Sequence, residues 1–468
     1  MTDFLQDLLD DYGTPRVRYS GRGEIASDNV SASIEWAAAQ YDDGEVLLAC
    51  EGDHSLFDVS LSRPKRFNGT SSDGVKFDSP GAIWELPLLR PLPEGRSGAW
   101  AVFALSLLHA GFPASGPPGL VRYLLTNFEF DRRGQRAELS LTGVQGAVRL
   151  VPDDKDEFAS QRLRALRSAR PTARLEIMPQ FGQAVAARQI ADNICNLLSI
   201  ARGTKVAWIQ EELLNTDSVR THLNHANRIT KPFAPSAPIE PTRIGDTAAF
   251  LEMTYGVFVE RRKVFKLDRG TIDSVLDAKI QTDFLETRGA KLAVALEVLK
   301  QNVLLHLQPD MEHHIPPETF ARAVSEISIA ARDILIRHGV APDAATAMTT
   351  AQRLLSLNRR SFSYLLRKTA KAIGLKLVTS ELELFVRCRN SLVHRGNFYS
   401  QTATEQERTE VPPKASAIEE YFFLLSFVDA FLLRLVGYHG PYLVRTITQD
   451  GGEVRQLEEL PLGAPLAP

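Results

Sequence analysis

The chain is 468 residues long, which exceeds one compact domain and suits two or three. Its 44% hydrophobic, 24% charged and 8% aromatic residues fall in the globular range and exclude a disordered, collagen-like or low-complexity protein. With 54 basic against 57 acidic residues the net charge is −3, so no global field draws the molecule to nucleic acid or anionic lipid, and any such patch must be local.

The N-terminal stretch MTDFLQDLLDDYG carries acids where an export signal would carry Lys or Arg. The three cysteines, Cys50, Cys195 and Cys388, form no close pair and no Cys-x-x-Cys, and read as reduced thiols. Both features predict a cytoplasmic protein. Short alternating or β-branched runs at 45–49, 56–61, 121–125, 137–141, 147–151 and 173–178 then predict strands. Between them Gly21-Arg-Gly23 lacks the third glycine and the flanking elements of a dinucleotide fingerprint and reads as a turn, so no cofactor is expected. His109, inside the apolar run Trp100 to Phe112, reads as a core histidine. Ala184 to Ala201 has helical spacing, with Ile190, Ile194, Leu197 and Leu198 on one side.

Pro232, Pro235, Pro238 and Pro241 remove backbone donors at short intervals and predict an extended linker over 229–246. Beyond it the pattern turns helical, near 247–265, 271–303, 316–338, 345–357, 361–373, 380–395 and 416–437. Asp310, Glu312, His313 and His314 lie close together, but without a second His pair at ligand spacing they predict no metal site. Tyr421 to Tyr438 is about long enough to span a bilayer, yet Asp429 and Arg434 interrupt it, which favours a helix buried in a core or dimer interface and no membrane association. The fold class is therefore α+β and multidomain: a β-rich domain with an inserted helix over 1–228, the linker over 229–246, an all-α bundle over 247–445 and a tail over 446–468.

The chemistry concentrates in SELELFVRCRNSLVHRGNF, Ser380 to Phe398. Ser380 and Glu383 have the spacing of a capping box, and Gly396 suits the residue just past a helix. Leu382, Phe385, Val386, Leu392 and Val393 form an apolar stripe with Arg389 in its middle, while Asn390 and His394, four residues apart, share a face about 40° wide. An imidazole that titrates near neutrality can take the proton of a ribose 2′-hydroxyl or protonate a leaving oxygen, and a guanidinium can stabilise the phosphorane-like transition state. Arg389, Asn390 and His394 are thus the candidate catalytic residues for metal-independent transesterification to a 2′,3′-cyclic phosphate. Arg387 and Arg395 flank them. Upstream, no acid occurs from Ala344 to Ser380, where Arg359, Arg360, Arg367 and Lys368 join Arg353, Lys371 and Lys376 in a basic field able to hold an RNA backbone, with Phe362 and Tyr364 placed to stack on bases.

Arg389-Asn390-Ser-Leu-Val-His394 resembles the motif of HEPN domains: an Arg, a polar residue, and a His four to six residues after the Arg, on a late helix of a bundle. Lys279 to Gln301 resembles the opening long helix of the Apea-like HEPN family, in which a β-rich domain precedes the bundle. The resemblance covers about 245–440 and implies an endoribonuclease without cofactor, its Arg389, Asn390 and His394 paired across a homodimer or higher oligomer. It further implies RNA as partner, tRNA or phage and host transcripts, in bacterial anti-phage defence or a toxin system, with the N-terminal domain sensing an unknown trigger.

Other readings stand beside it. The same spacing recurs at Arg220 with His225, and a longer version at Arg332-Asp333 with His338. Arg389 could instead be a buried cation paired with a carboxylate such as Glu297, with His394 facing the helix dipole. The bundle would then bind RNA or a protein without cutting. Trp36, Trp84 and Trp100 motivate a third reading, a small-ligand or carbohydrate site in the β domain.

Overall fold

Alternation makes the first half of the chain a sheet. In the computed structural model, which describes residues 2–53, 55–61, 66–79, 83–84, 90–91, 99–111, 118–128, 136–153, 171–179, 184–215, 218–224, 227, 236–240, 244–307, 309–340, 352–448 and 452–463, a helix α1 (Thr2–Asp10) leads into β1 (Val17–Ala26), β2 (Ser31–Gln40) and β3 (Val46–Gly52). Next come α2 (Ser55–Leu61), β4 (Arg66–Ser71), β5 (Lys76–Ser79), β6 (Ile83–Trp84), β7 (Arg90–Pro91), β8 (Ala99–Leu105) and β9 (Leu107–Ala110). The series continues with β10 (Leu120–Thr126), β11 (Ala137–Leu139), β12 (Gly146–Pro152), β13 (Pro171–Pro179), α3 (Ala184–Arg202), β14 (Ala207–Leu214) and β15 (Val219–Asn224).

These fifteen strands form one sheet, ordered β11-β12-β13-β10-β14-β15-β9-β5-β4-β1-β2-β3-β8-β6, with β7 also on β8. One face of its β1–β5 half buries Ile25, Ile34, Trp36, Leu48, Phe67, Phe77 and Phe103. On β2, β3 and β8 the opposite face is also covered, because Leu5 and Leu9 of α1 pack on Ala37, Ala39, Leu47 and Trp100. Trp36 and Trp100 are therefore core residues, and nothing about them favours a ligand site; the side chain of Trp84 lies outside the described residues. Leu56 and Val59, expected in a strand, are both fully buried three residues apart on α2, whose first turn is fixed by the Ser55 amide donating to Asp53 Oδ1 at 2.9 Å.

The chain forms two compact units, Met1–Phe258 with Lys279–Gln281, and Val259–Ala278 with Thr282–Pro468. The division falls inside α4 (Ile244–Val264). Of the expected linker, residues 229–235 and 241–243 lie outside the described residues, while Ser236, Ala237 and Ile239 are buried rather than held in a solvated spacer.

The second unit contains α5 (Arg269–Asp277), α6 (Leu285–Leu307), α7 (Pro317–Arg337), α8 (Phe362–Ala372), α9 (Thr379–Arg395), α10 (Tyr399–Thr402), α11 (Glu405–Glu410) and α12 (Ala417–Leu435). Residues 345–351 of the helix expected over 345–357 lie outside the described residues. The helix expected over 271–303 is broken into α5 and α6, and Lys291 clasps the break with Asp277 and Asp283, each at 2.5 Å. α6 and α12 form the centre, with α5, α8 and α9 packed on α6. α12 is buried nearly all round by its own unit, so its apolar composition is a core requirement and carries no argument for a dimer. No helix among the described residues is long and apolar enough to cross a membrane. The end of the expected all-α range and the expected tail together form a hairpin, β16 (Pro441–Ile447) with β17 (Glu453–Glu459).

Candidate functional site on the Arg389 helix

α9 presents the sequence motif. Its C-terminus is set by Gly396, whose φ of 73° is the left-handed conformation glycine adopts without a Cβ penalty, its N–H returning to Leu392. The expected capping box does not form, because the helix begins at Thr379, before Ser380, and Val378 occupies the cap without a side-chain bond. Leu382, Leu384, Phe385, Cys388, Ser391 and Leu392 face inward. The buried centre of the stripe is thus Cys388, one residue before Arg389. Its thiol, raised first by burial and then by the charge and hydrogen bond of Glu420, stays protonated.

Glu420 on α12 is fully buried and accepts from the Tyr399 and Ser400 amides at 2.7 Å each. It fixes the segment that follows His394.

Arg389 stands at the edge of the core with 20% of its side chain exposed. Its Nη2 donates to Glu297 Oε2 on α6 at 2.8 Å, its Nη1 to Asn390 Oδ1 at 3.0 Å, and its guanidinium lies 5.4 Å from the Phe362 ring centre. Lys300, 5% exposed, stands 3.7 Å from Glu297 Oε1, with its ammonium 4.6 Å from the same ring. Burial pushes the Glu297 carboxyl up, but the Arg389 bond and the charges of Lys300 and Arg389 outweigh it and hold the group below the ordinary carboxylate range. Burial pushes Lys300 down.

Phe362 stacks on Phe385 at 6.5 Å, so both cations and a core aromatic occupy a ring that the sequence offered for base stacking. Asn390 and His394 sit one turn apart on the exposed side of α9. His394 makes no hydrogen bond or ion pair among the described residues.

The expected RNA contacts divide. Arg387 pairs with Glu410 at 3.0 Å and Glu407 at 3.7 Å, and Arg395 approaches Glu407 at 3.8 Å. No acid separates these residues in sequence from Leu384 to Ser400, yet the acidic α11 folds back onto them. Arg360 donates to the His313 carbonyl at 3.0 Å and stacks 4.7 Å from Tyr364, with Lys368 5.6 Å from the same ring. Arg359 and Arg367 are exposed and make no ion pair among the described residues. Tyr364, Arg367, Lys368 and Lys371 share the exposed side of α8, while Leu365, Leu366, Thr369 and Ala370 are buried. Contact between Phe362 and Arg389 sets the start of this basic helix against the motif.

Among the decoys, His225 lies outside the described residues. Among the described residues no three His, Cys, Asp or Glu gather at metal-ligand spacing.

Glu297 decides between the two meanings of Arg389. With 42% of its side chain exposed, the pair it forms is worth only about 0.2–1 kcal/mol, small enough for a phosphate to displace it. Glu297→Gln is expected to tighten RNA binding about three- to tenfold in filter-binding assays while moving Tm by about 2 °C or less, since Lys300 keeps the charge of Glu312. A fall in Tm without tighter binding would make the pair purely structural.

No protein-family model, curated protein or solved structure matches the chain.

Proposed function

We propose that the helical unit is a HEPN-type endoribonuclease that cleaves RNA in the cytoplasm by 2′-hydroxyl transesterification, without a metal, in anti-phage defence or a toxin-like system. The observation that carries this reading is the exposed imidazole of His394, unpartnered among the described residues, one turn from Asn390, whose side chain accepts from a guanidinium also held by Glu297. In the reaction His394 accepts the 2′-hydroxyl proton as the 2′-oxygen forms its bond to phosphorus. The bond from phosphorus to the 5′-oxygen breaks, the leaving oxygen takes a proton from water, and the Arg389 guanidinium meets the charge that develops on the non-bridging oxygens. The α8 side chains Arg367 and Lys368, with Arg359 and Arg360, bind the phosphate backbone by counterion release.

A second copy completes the cleft. Around the cluster, Val294 is 55%, Val298 38% and Val393 41% exposed, and on α7 only Val324 is buried while Ile329 and Ile336 are 60% and 52% exposed. Such surface supports self-association. The N-terminal β unit is the place for the trigger.

A second reading, a HEPN module that binds RNA or protein without cutting, is favoured by the Arg389–Glu297 pair and by the neutralisation of Arg387 and Arg395. Incubation with labelled tRNA and mixed single-stranded RNA in excess EDTA, with and without phage-infected lysate, separates them. Cleavage is expected in at least the lysate arm; RNA retained intact in both arms by a protein that binds it would select the second reading.

A further inference from the structure

A polar row crosses the β unit from its interior to solvent. Register places Tyr123 opposite Glu211, Glu211 opposite His222, His222 opposite His109 and His109 opposite Asp78, so the five residues lie in line on β10, β14, β15, β9 and β5. Their side chains are joined. Tyr123 donates to Glu211 Oε1 at 2.8 Å, His222 Nδ1 lies 2.5 Å from Glu211 Oε2, the two imidazole ring centres lie 4.4 Å apart with the planes tilted by 35°, and His109 Nδ1 lies 3.0 Å from Asp78 Oδ2.

Each carboxylate also meets a guanidinium: Arg188 of α3 bonds Glu211, and Arg220 of β15 stands 3.8 Å from Asp78 and 3.3 Å from His109 Nδ1. Exposure rises along the row, from Glu211 at 0% through His222 at 8% and His109 at 15% to Asp78 at 45% of their side chains. His109 is therefore a half-buried member of a charged network, not the core histidine its apolar neighbours predict.

The row crosses a narrow part of the sheet. β9 joins the β10–β15 half to the β1–β5 half through four register pairs with β15 and two with β5. With both imidazoles neutral, Arg188 and Arg220 balance Glu211 and Asp78. A proton added to His109 leaves the row at +1, with the Arg220 guanidinium 3.3 Å from the ring that carries it and no further carboxylate in the row to answer the charge. The groups that face the rings from every packed element are Asp78, Arg220, Glu211, Tyr123 and, on α3, Arg188; Asp192, also on α3, adds its charge to Tyr123 and Arg188.

We propose that this row is a pH-sensitive clasp, which holds β9 to β15 while the His109 imidazole is neutral and releases that seam when His109 takes a proton. Burial first, and then His222 and Arg220, lower the affinity of His109 for a proton against the opposing pull of Asp78. The folded seam thus binds fewer protons than the open chain, and its stability is complete above about pH 6.5 and declines as pH falls through that value. Opening exposes Leu108 and Leu223, a register pair that is fully buried. The clasp is independent of the RNA chemistry of the other unit.

Hydrogen exchange of the full chain read by mass spectrometry at pH 7.5 and 5.5, corrected for the intrinsic pH dependence of exchange, tests it. Peptides covering 106–111 and 218–224 are expected to lose about three- to tenfold in protection at pH 5.5, while peptides covering 17–40 change by less than about twofold. His109→Gln should abolish the loss. Asp78→Asn, at an exposed position, removes the charge that favours protonated His109 in the folded seam, so it should deepen the loss at pH 5.5 relative to pH 7.5. Seam protection that is unchanged at pH 5.5, that falls together with 17–40, or that falls no further in Asp78→Asn than in the wild type would overturn the proposal.

Discussion

His394→Ala is expected to lower the RNA cleavage rate by about 10²–10⁴-fold, the range for loss of a positioned general acid–base, with RNA affinity changed by about twofold or less. Stability should scarcely move. His394 is exposed, and its one structural role, a cation in the last turn of α9, is worth about 0.3–1 kcal/mol when charged. Arg389→Ala should cost about 10²–10³-fold for the lost transition-state donor, but it also removes the packing on Phe362 and the hydrogen bond to Glu297. Arg389→Lys is the sharper probe, since it keeps the charge and loses the planar fork that reaches Glu297 and Asn390 together. Wild-type cleavage by His394→Ala would place the chemistry elsewhere.

Arg188→Ala is expected to destabilise the β unit by about 3–5 kcal/mol at pH 7, because it leaves a fully buried carboxylate without its counter-charge. Burial pushes Glu211 upward, yet the hydrogen bonds of His222, Arg188 and Tyr123 and the Arg188 charge hold its carboxyl at about 2. A folded value that far below the ordinary 4.5 supplies roughly 3 kcal/mol, present in full above about pH 4.5 and lost as pH falls through 2. The variant should therefore also unfold at higher pH in acid titration.

Tyr123→Phe removes one of several donors and should cost less, about 1–2 kcal/mol. All four tryptophans lie in the β unit, so their fluorescence in urea reads its unfolding selectively. A loss under about 1 kcal/mol for Arg188→Ala would mean that the remaining donors already satisfy Glu211.

Much of the architecture was legible in local pattern, and the failures have local causes. Val121, Tyr123 and Leu125 alternate with the other face of β10, as a strand requires, and Ile194, Leu197 and Leu198 mark the buried side of α3. At 56–61 the apolar residues are too close together to distinguish period 2 from 3.6, and helix prevailed. The C-terminal hairpin has a local sequence signal, Asp450-Gly451 between two alternating runs.

The motif helix and its glycine stop were readable because capping is a matter of neighbours. The neutralisation of Arg387 and Arg395 was not, because it depends on α11 folding back across about 20 residues. Least legible was the row from Tyr123 to Asp78. Its members come from five strands and no linear spacing connects them, so only sheet order and register bring the two histidines together.

The ends of the RNA product test the assignment of Arg389, Asn390 and His394 most directly. tRNA incubated with wild-type protein in excess EDTA and phage-infected lysate is expected to yield 2′,3′-cyclic phosphate and 5′-hydroxyl ends, which disappear with His394→Ala although that variant still binds the RNA. Bound RNA left intact by wild type, or 3′-hydroxyl and 5′-phosphate ends made equally by both proteins, would contradict it.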